Sequence, residues 1–245
     1  MKTPLLALSI VSHNQGGLVR QLLDDIRRSK LPPYEAFVTI NVPEPDDFLT
    51  SFGDLPLRVL RNDRPKGFGS NHNAAFAISQ APHFVVLNPD VRLHNFEIAP
   101  LLELSNDPSV GACIPLVLSG SGGVEDNARR SLTIPRLMSR LLGWRVKTDY
   151  DVTNEPLDVD WGAGIFIMFR RDAFAAVKGF DERFFMYCED ADVCARLRRL
   201  GYSIVLVPKS VIVHNAQRAS HRRLRYSYWH VKSLIRLLRA DHSRL

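Results

Sequence analysis

The residues of this chain whose types and spacing can do chemistry fall in three stretches. Glu189, Asp190 and Asp192 stand together at the start of a helical pattern, and His214 closes the β-branched run Val211–Val213. Carboxylates at a helix start and a histidine at a strand end can face one crevice, a site for acid–base or metal chemistry. Carboxylates in a first helical turn also complement the helix dipole, and that alone would account for Asp192. In the second stretch, Asp90 follows the apolar run His83–Leu87 in the order Asn88-Pro89-Asp90. A carboxylate directly after a central strand is where a divalent ion bridging a diphosphate is held. Asn-Pro is equally a turn opener, and Asp90 is then only a turn carboxylate. The third stretch is Arg61–Phe76, RNDRPKGFGSNHNAAF. Here Gly67 and Gly69 permit close backbone approach and positive φ, and Asn71 or Asn73 can cap or orient the helix that follows. Its first amides favour anionic phosphate, with Arg64 and Lys66 adding charge, although such a Gly-Phe-Gly segment alone is more often a plain turn. Cys188, beside Glu189, has no helper base evident in the sequence and is not read as a nucleophile.

Strands and helices in alternation must carry these residues. Leu5–Val11 reads as a buried strand, and Leu18, Leu22 and Ile26 recur at helical spacing before Pro32-Pro33. Ala36–Val42, Leu57–Leu60, His83–Leu87 and Gly111–Leu118 read as further strands, and Phe96–Leu104 as a small helix. This order predicts an α/β fold with a mostly parallel, doubly wound sheet and helices on both faces. Ligands then bind outside the carboxyl ends of the strands, where His13, Asn14 and Asn41 fall. Ser119–Asn127 is a Gly/Ser stretch holding Glu125 and Asp126, with Arg129, Arg130, Arg136 and Arg140 after it. It reads either as a solvated loop and helix or as a mobile loop whose arginines meet a phosphate. Leu132–Trp144 reads as a short amphipathic helix. Ile204–Val207 and Val211–Val213 read as two short β runs.

The chain has 245 residues, 45% of them hydrophobic, enough for one large domain or two halves of one. Its net charge of +6 suits a diphosphate, an acidic membrane surface or nucleic acid. Nucleic acid is the poorest of these, because no reader motif is present. Cys113, Cys188 and Cys194 lack metal-site spacing and fit a reducing compartment. Lys2 and Leu5–Val11 superficially suit a signal peptide, but no small-residue cleavage site follows and a first buried strand explains them better. No run approaches the roughly 20 apolar residues of a membrane span. Past His214 the composition changes. Leu224, Tyr228, Val231, Ile235 and Leu238 recur at helical spacing beside Arg225, Lys232, Arg236 and Arg239. This is a basic amphipathic helix, suited to an anionic membrane surface through residues 221–239, to packing on the domain or to dimer contact.

Gly179-Phe180-Asp181-Glu182-Arg183-Phe184-Phe185, then Glu189-Asp190-Ala191-Asp192, then Arg196-Leu197-Arg198-Arg199-Leu200-Gly201-Tyr202, Val207-Pro208 and a closing His214 form an ordered series. It resembles the C-terminal half of the family 2 inverting glycosyltransferases, and in particular their bacterial rhamnosyltransferase-like branch. Gly67-Phe68 followed by Asn73 is similar to the family's segment lining the nucleotide-sugar. The likeness covers roughly residues 5 to 214 and is weakest at Thr39–Glu44, where Asn41 and Glu44 replace an Asp-rich segment that contacts the base.

The resemblance implies the GT-A fold. Residues 1–215 then form one glycosyltransferase domain, with 1–95 the nucleotide-sugar half and 96–215 the acceptor half, and 216–245 a basic tail. It also implies transfer of a sugar, rhamnose or another hexose, from a nucleotide-diphosphate donor such as dTDP-rhamnose. The acceptor is a bacterial surface glycan, lipid-linked or not, reached at the inner membrane face from the cytoplasm. By resemblance Asp190 is the catalytic base. His13, Asn14, Asn41, Lys66, Gly67, Asn73, Asn88 and Asp90 hold the nucleotide-sugar. Trp161, Gly162 and Glu189 meet the acceptor, with core packing the alternative for Trp161. Asp90 and His214 bind Mg²⁺ or Mn²⁺. The family's usual Asp-x-Asp stands here as Asn88-Pro89-Asp90, so Asn88 supplies only a neutral oxygen. A non-catalytic glycan or nucleotide binder of the same fold is the rival reading.

Overall fold

The computed structural model of the chain describes residues 3–131, 148–215 and 232–237. In chain order the elements are β1 (Leu6–Ser12), α1 (Gly16–Arg28), β2 (Tyr34–Ile40), a 3₁₀ turn (Asp47–Phe52), β3 (Leu57–Arg61), α2 (Phe68–Ile78), β4 (His83–Leu87), β5 (Val91–Arg92) and α3 (Ala99–Ser105). They continue with β6 (Val110–Ser119), β7 (Ala128–Arg129), β8 (Leu157–Val159), β9 (Trp161–Gly162), β10 (Phe166–Arg170), α4 (Arg171–Ala176), α5 (Glu189–Arg199) and β11 (Ser203–His214).

One sheet runs β3-β2-β1-β4-β10-β6-β11-β5, with β8 also on β11, while β7 and β9 make a separate small ladder. The block β3-β2-β1-β4 is parallel, as the alternation of strands and helices predicts. β10 enters antiparallel between β4 and β6, which makes the sheet mixed. It joins strands from both ends of the sequence into one ladder, a pairing that no local pattern encodes.

Successive side chains of β1 point to opposite faces. Leu6, Leu8 and Ile10 pack with Leu22, Leu23 and Ile26 of α1, while Ala7 faces the other core with Phe84 and Phe174. That second core is rich in aromatics: the Phe174 ring lies 4.6 Å from Phe169, 4.9 Å from Phe76, 5.3 Å from Phe180 and 5.5 Å from Phe84. It anchors the Gly179–Phe185 segment beneath α2.

Three local expectations change. Ile204–Val207 and Val211–Val213 are not two strands but one, β11, with a register shift between Val207 and Val211. Pro208 cannot donate to a ladder, and a bulge accommodates it. The small helix begins at Ala99 rather than Phe96, with Pro100 in its first turn. Neither Asn71 nor Asn73 caps α2, whose N-cap is Gly67 without a side-chain bond. The expected helix Leu132–Trp144 lies outside the described residues. So does most of the tail, of which residues 232–237 are helical. Among the described residues no helix is long and apolar enough to cross a membrane.

Candidate active site

A crevice of about 500 Å³ opens at the carboxyl ends of β1 and β4. Its floor carries His13, Lys66, Asn88 and Asp90, and its far wall Gly164, Glu189 and Asp190. β1 continues outward to β2 through α1, and β4 leads the other way into β10, so the crevice sits where strand order reverses.

An asparagine chain builds the near side. Asn41 Oδ1 accepts the Lys66 amide at 2.9 Å and Asn62 Nδ2 at 2.9 Å, and its Nδ2 donates to the Lys66 carbonyl at 3.0 Å. Asn62 Nδ2 also reaches Asn71 Oδ1 at 2.6 Å, and Asn71 Nδ2 the Gly67 carbonyl at 3.0 Å. Asn41 Nδ2 further meets His13 Nδ1 at 3.2 Å. Asn41 thus spends its polar groups on holding the Lys66–Gly67 backbone and the His13 ring. Gly67 has φ −67°, so the expected positive φ is absent. A Cβ there would meet the Phe185 carbonyl oxygen at 2.7 Å; the close approach is to the 184–185 backbone, not to an open ligand space.

Two further residues expected at the nucleotide-sugar lie elsewhere. Asn73 is turned to the Gly179–Phe185 segment: its Oδ1 accepts the Phe180 amide at 2.9 Å, and its Nδ2 donates to the Phe180 carbonyl at 2.9 Å and to Glu182 Oε1 at 3.1 Å. Asn14 is exposed with φ 58°, and its amide donates to Glu44 Oε1 at 3.2 Å. On the acceptor side Trp161 is buried, donates from Nε1 to the Arg130 carbonyl at 2.9 Å, and is covered by Arg129 at 5.3 Å. Core packing therefore describes Trp161 better than a sugar-stacking wall. A Cβ on Gly162 would lie 2.6 Å from Ile114, so this glycine too serves packing. Of the residues that follow, Ala163, Gly164 and Ile165 reach the crevice.

The far wall is the start of α5. Tyr187 and Cys188 precede it at φ 69° and 66°, uncommon for residues with side chains and a known companion of functional sites. Asp190 Oδ2 accepts the Gly164 amide at 3.0 Å, and Oδ1 accepts the Ala191 amide at 2.9 Å. Burial raises the Asp190 pKa, against these amides and the charge of Arg129, which lower it. Glu189 is raised well above the ordinary range, by burial and then by Asp190. Its Oε2 is buried without a hydrogen-bond partner. Of the two, Asp190 is built to be a carboxylate and Glu189 to keep its proton. Asp192 pairs with Arg196 at 2.7 Å and is structural. Burial and then the adjacent carboxylates push the Cys188 thiol up to about 12, which removes it as a nucleophile.

His214 ends β11 between two strands: it pairs with Val91 of β5 on one side and Ser119 of β6 on the other. Its Nε2 lies 3.3 Å from Asp90 Oδ2, and its Nδ1 lies 2.7 Å from Glu125 Oε2. Burial lowers its pKa, but the two carboxylates outweigh that and hold it at about 9. Asp90 Oδ1 is buried with no hydrogen-bond partner. Among the described residues no three His, Cys, Asp or Glu side chains form a complete metal cage. One carboxylate with an unused buried oxygen plus one imidazole nevertheless fits a divalent ion that takes its other ligands from phosphate oxygens and water.

The Ser119–Asn127 stretch is an ordered hairpin. Glu125 N donates to the Val117 carbonyl at 2.8 Å, and Asn127 Nδ2 to that of Pro115 at 3.0 Å. Arg129 pairs with Asp126 at 3.4 Å, and Arg130 stacks on Tyr150 at 4.7 Å, so both arginines have partners within the chain. Sequence reasoning missed Glu125 as a partner of His214. The only signal was an acidic residue in a Gly/Ser turn.

The family model for glycosyl transferase family 2 matches residues 8–177. The chain belongs to glycosyl transferase family 2. A second family model, the N-terminal domain of galactosyltransferase, matches residues 146–227 of this glycosyltransferase. Among curated relatives, the rhamnosyltransferase WbbL of Escherichia coli K12 is 28% identical over 184 residues, 70% of each chain. The N-acetylglucosaminyl-diphospho-decaprenol L-rhamnosyltransferase of Mycobacterium tuberculosis H37Rv is 34% identical over 149 residues, 56% of this chain and 48% of that one. The glycosyltransferase thus matches about half the length of its mycobacterial relative. In fold it is similar to GalNAc-T7 solved with UDP, GalNAc and Mn²⁺ (TM-score 0.68, 16% identity, 87% of this chain and 43% of that). It is also similar to the Pyrobaculum calidifontis mannosyltransferase PcManGT with GDP-Man and Mn²⁺ (TM-score 0.63, 18% identity, 96% and 65%). The expected GT-A fold is therefore observed.

Proposed function

We propose that this glycosyltransferase is an inverting enzyme moving a deoxyhexose, rhamnose from dTDP-rhamnose, to a hydroxyl of a lipid-linked bacterial surface glycan. The observation that carries the chemistry is Asp190, held by two backbone amides at the crevice wall opposite Asp90. The choice of donor and acceptor rests on the two rhamnosyltransferase relatives, one of which bears the name of a decaprenyl-diphosphate-linked substrate.

The donor lies across the strand ends, its diphosphate toward Lys66 and Asp90. The acceptor hydroxyl stands between Asp190 and the anomeric carbon. Asp190 takes the hydroxyl proton as that oxygen bonds to the anomeric carbon, and the bond from this carbon to the diphosphate oxygen breaks with its electron pair leaving on the nucleoside diphosphate. One in-line displacement inverts the anomeric centre. Glu189, kept neutral, leaves the pair with a single charge, so Asp190 remains the base. Asp90 and His214 would hold the Mg²⁺ or Mn²⁺, which when bound offsets charge growing on the leaving diphosphate. The basic tail holds the enzyme at the anionic inner face of the membrane.

The test is donor hydrolysis and transfer across dTDP-rhamnose, UDP-glucose, UDP-galactose, UDP-GlcNAc and GDP-mannose, each with Mg²⁺, Mn²⁺ or EDTA. Metal-dependent release of dTDP is expected. Asp190→Asn is expected to keep the fold and donor binding while losing turnover by about 10²–10⁴-fold. Near-normal turnover in that variant would remove Asp190 from the role of base.

A further inference from the structure

The mechanism above leaves Glu125 unused, and no local pattern marks it. It nevertheless makes the shortest contact to His214, 2.7 Å from Oε2 to Nδ1, across a sequence separation of 89 residues. The contact is built by the fold. His214 is in register with Ser119, the last residue of β6, and the chain turns back at once so that Val124 bridges Leu118. The Glu125 amide is then tied to Val117, and Asn127 is tied both to Pro115 and to the Ala163 amide at 2.8 Å. Glu125 is thus delivered to one edge of the imidazole by a closed hairpin, while Asp90 is delivered to the other edge by β5, where the Asn215 amide donates to the Asp90 carbonyl at 3.0 Å. The side chains of His214 and Asp90 are 13% and 12% exposed and that of Glu125 26%, so the ring is held from both sides with little water between.

An imidazole can offer only one nitrogen lone pair. When a cation takes the place of the Nε2 hydrogen, a carboxylate that accepts the hydrogen on Nδ1 keeps the lone pair on Nε2, fixes the ring plane and raises the ring's basicity as a ligand. Here Nε2 is the nitrogen that faces Asp90, at 3.3 Å from Oδ2, and Asp90 lines the crevice. We infer that Glu125 is a positioning residue that fixes the tautomer and orientation of His214, so that Nε2 and Asp90 together bind the divalent cation. The inference rests on the metal reading given above, and it adds the outer carboxylate of an Asp90–cation–His214–Glu125 relay.

The experiment is Mn²⁺ titration of the purified full chain, with free Mn²⁺ read by electron paramagnetic resonance and folding checked by thermal melting. Wild type is compared with Glu125→Ala, Glu125→Gln, His214→Ala and the double variant Glu125→Ala/His214→Ala. Glu125→Ala is expected to weaken Mn²⁺ binding by about 10–100-fold. Glu125→Gln, whose side-chain carbonyl still accepts the Nδ1 hydrogen, is expected to fall between Ala and wild type. In the His214→Ala background the Glu125→Ala change is expected to add nothing, because its effect passes through the ring. Wild-type affinity in Glu125→Ala, or an equal further loss in the double variant, would overturn the assignment while leaving the metal reading intact. Wild-type protein that binds no Mn²⁺ would overturn both.

Discussion

Two neighbouring carboxylates at one helix start are given different work by their surroundings. Asp190 accepts two amide hydrogens, and Glu189 has a buried oxygen with no donor. Glu189 therefore keeps its proton above the pH at which it ionises in the unfolded chain, near 4.3. Above that pH the unfolded chain binds fewer protons at this position than the folded one, and wild-type stability falls as pH rises toward the raised folded pKa. Glu189→Gln cannot ionise. Its stability is expected to track wild type near pH 4 and to exceed it increasingly as pH rises, by up to about 1.4 kcal/mol per pH unit until the folded pKa is passed. Melting curves across a pH series check this; a constant offset would mean that Glu189 ionises normally in the fold.

At the scale of elements, α2 and the Gly179–Phe185 segment act as one unit. Phe68 N donates to the Phe185 carbonyl at 2.9 Å, Asn73 staples Phe180, and Gly67 and Gly69 leave room for the segment's backbone and for the Phe180 side chain. Phe185, Met186 and Tyr187 continue from it into the crevice wall, and the helical residues 232–237 are tied to this wall by Ser233 Oγ, which donates to the Met186 carbonyl at 2.8 Å. Gly67→Ala forces apart backbone atoms now 2.7 to 3.1 Å from the new methyl. The expected result is a loss of about 1–3 kcal/mol in stability together with weaker nucleoside diphosphate binding, read by urea unfolding and calorimetry. Loss of stability with unchanged binding would separate the segment from the donor site.

Across the whole molecule, the mixed sheet lets distant parts of the chain share one crevice. β10 carries the end of the Gly162–Gly164 run back between β4 and β6, which brings Gly164 against Asp190 and Asn88 against Ile165. The charge excess of +6 is concentrated in the tail, whose sequence carries Arg225 and Arg239 among its basic residues. Each basic residue near an anionic surface contributes about 1 kcal/mol, so Arg225→Ala/Arg239→Ala is expected to weaken flotation with phosphatidylserine vesicles by roughly 30-fold and to leave turnover on a soluble acceptor unchanged. Undiminished flotation would remove the tail from membrane contact.

Periodicity and composition determined the strand–helix alternation, the parallel block β3-β2-β1-β4 and the crevice at its carboxyl end, because those depend on local patterns of burial. The ordered motifs from Gly179 to His214 pointed to the family, which the family model over residues 8–177 shows. Tertiary structure alone decided which members of each motif face the crevice. Asn73 turns to the Gly179–Phe185 segment, and Trp161 and Gly162 turn to the interior, where an amide, an indole and a bare Cα hold segments far away in sequence. Glu125 meets His214 because the β6–β11 ladder sets His214 beside Ser119, and Asp190 differs from Glu189 in accepting the amides of Gly164 and Ala191. Burial and long-range hydrogen bonding separate one carboxylate from the next, and both are properties of the folded chain.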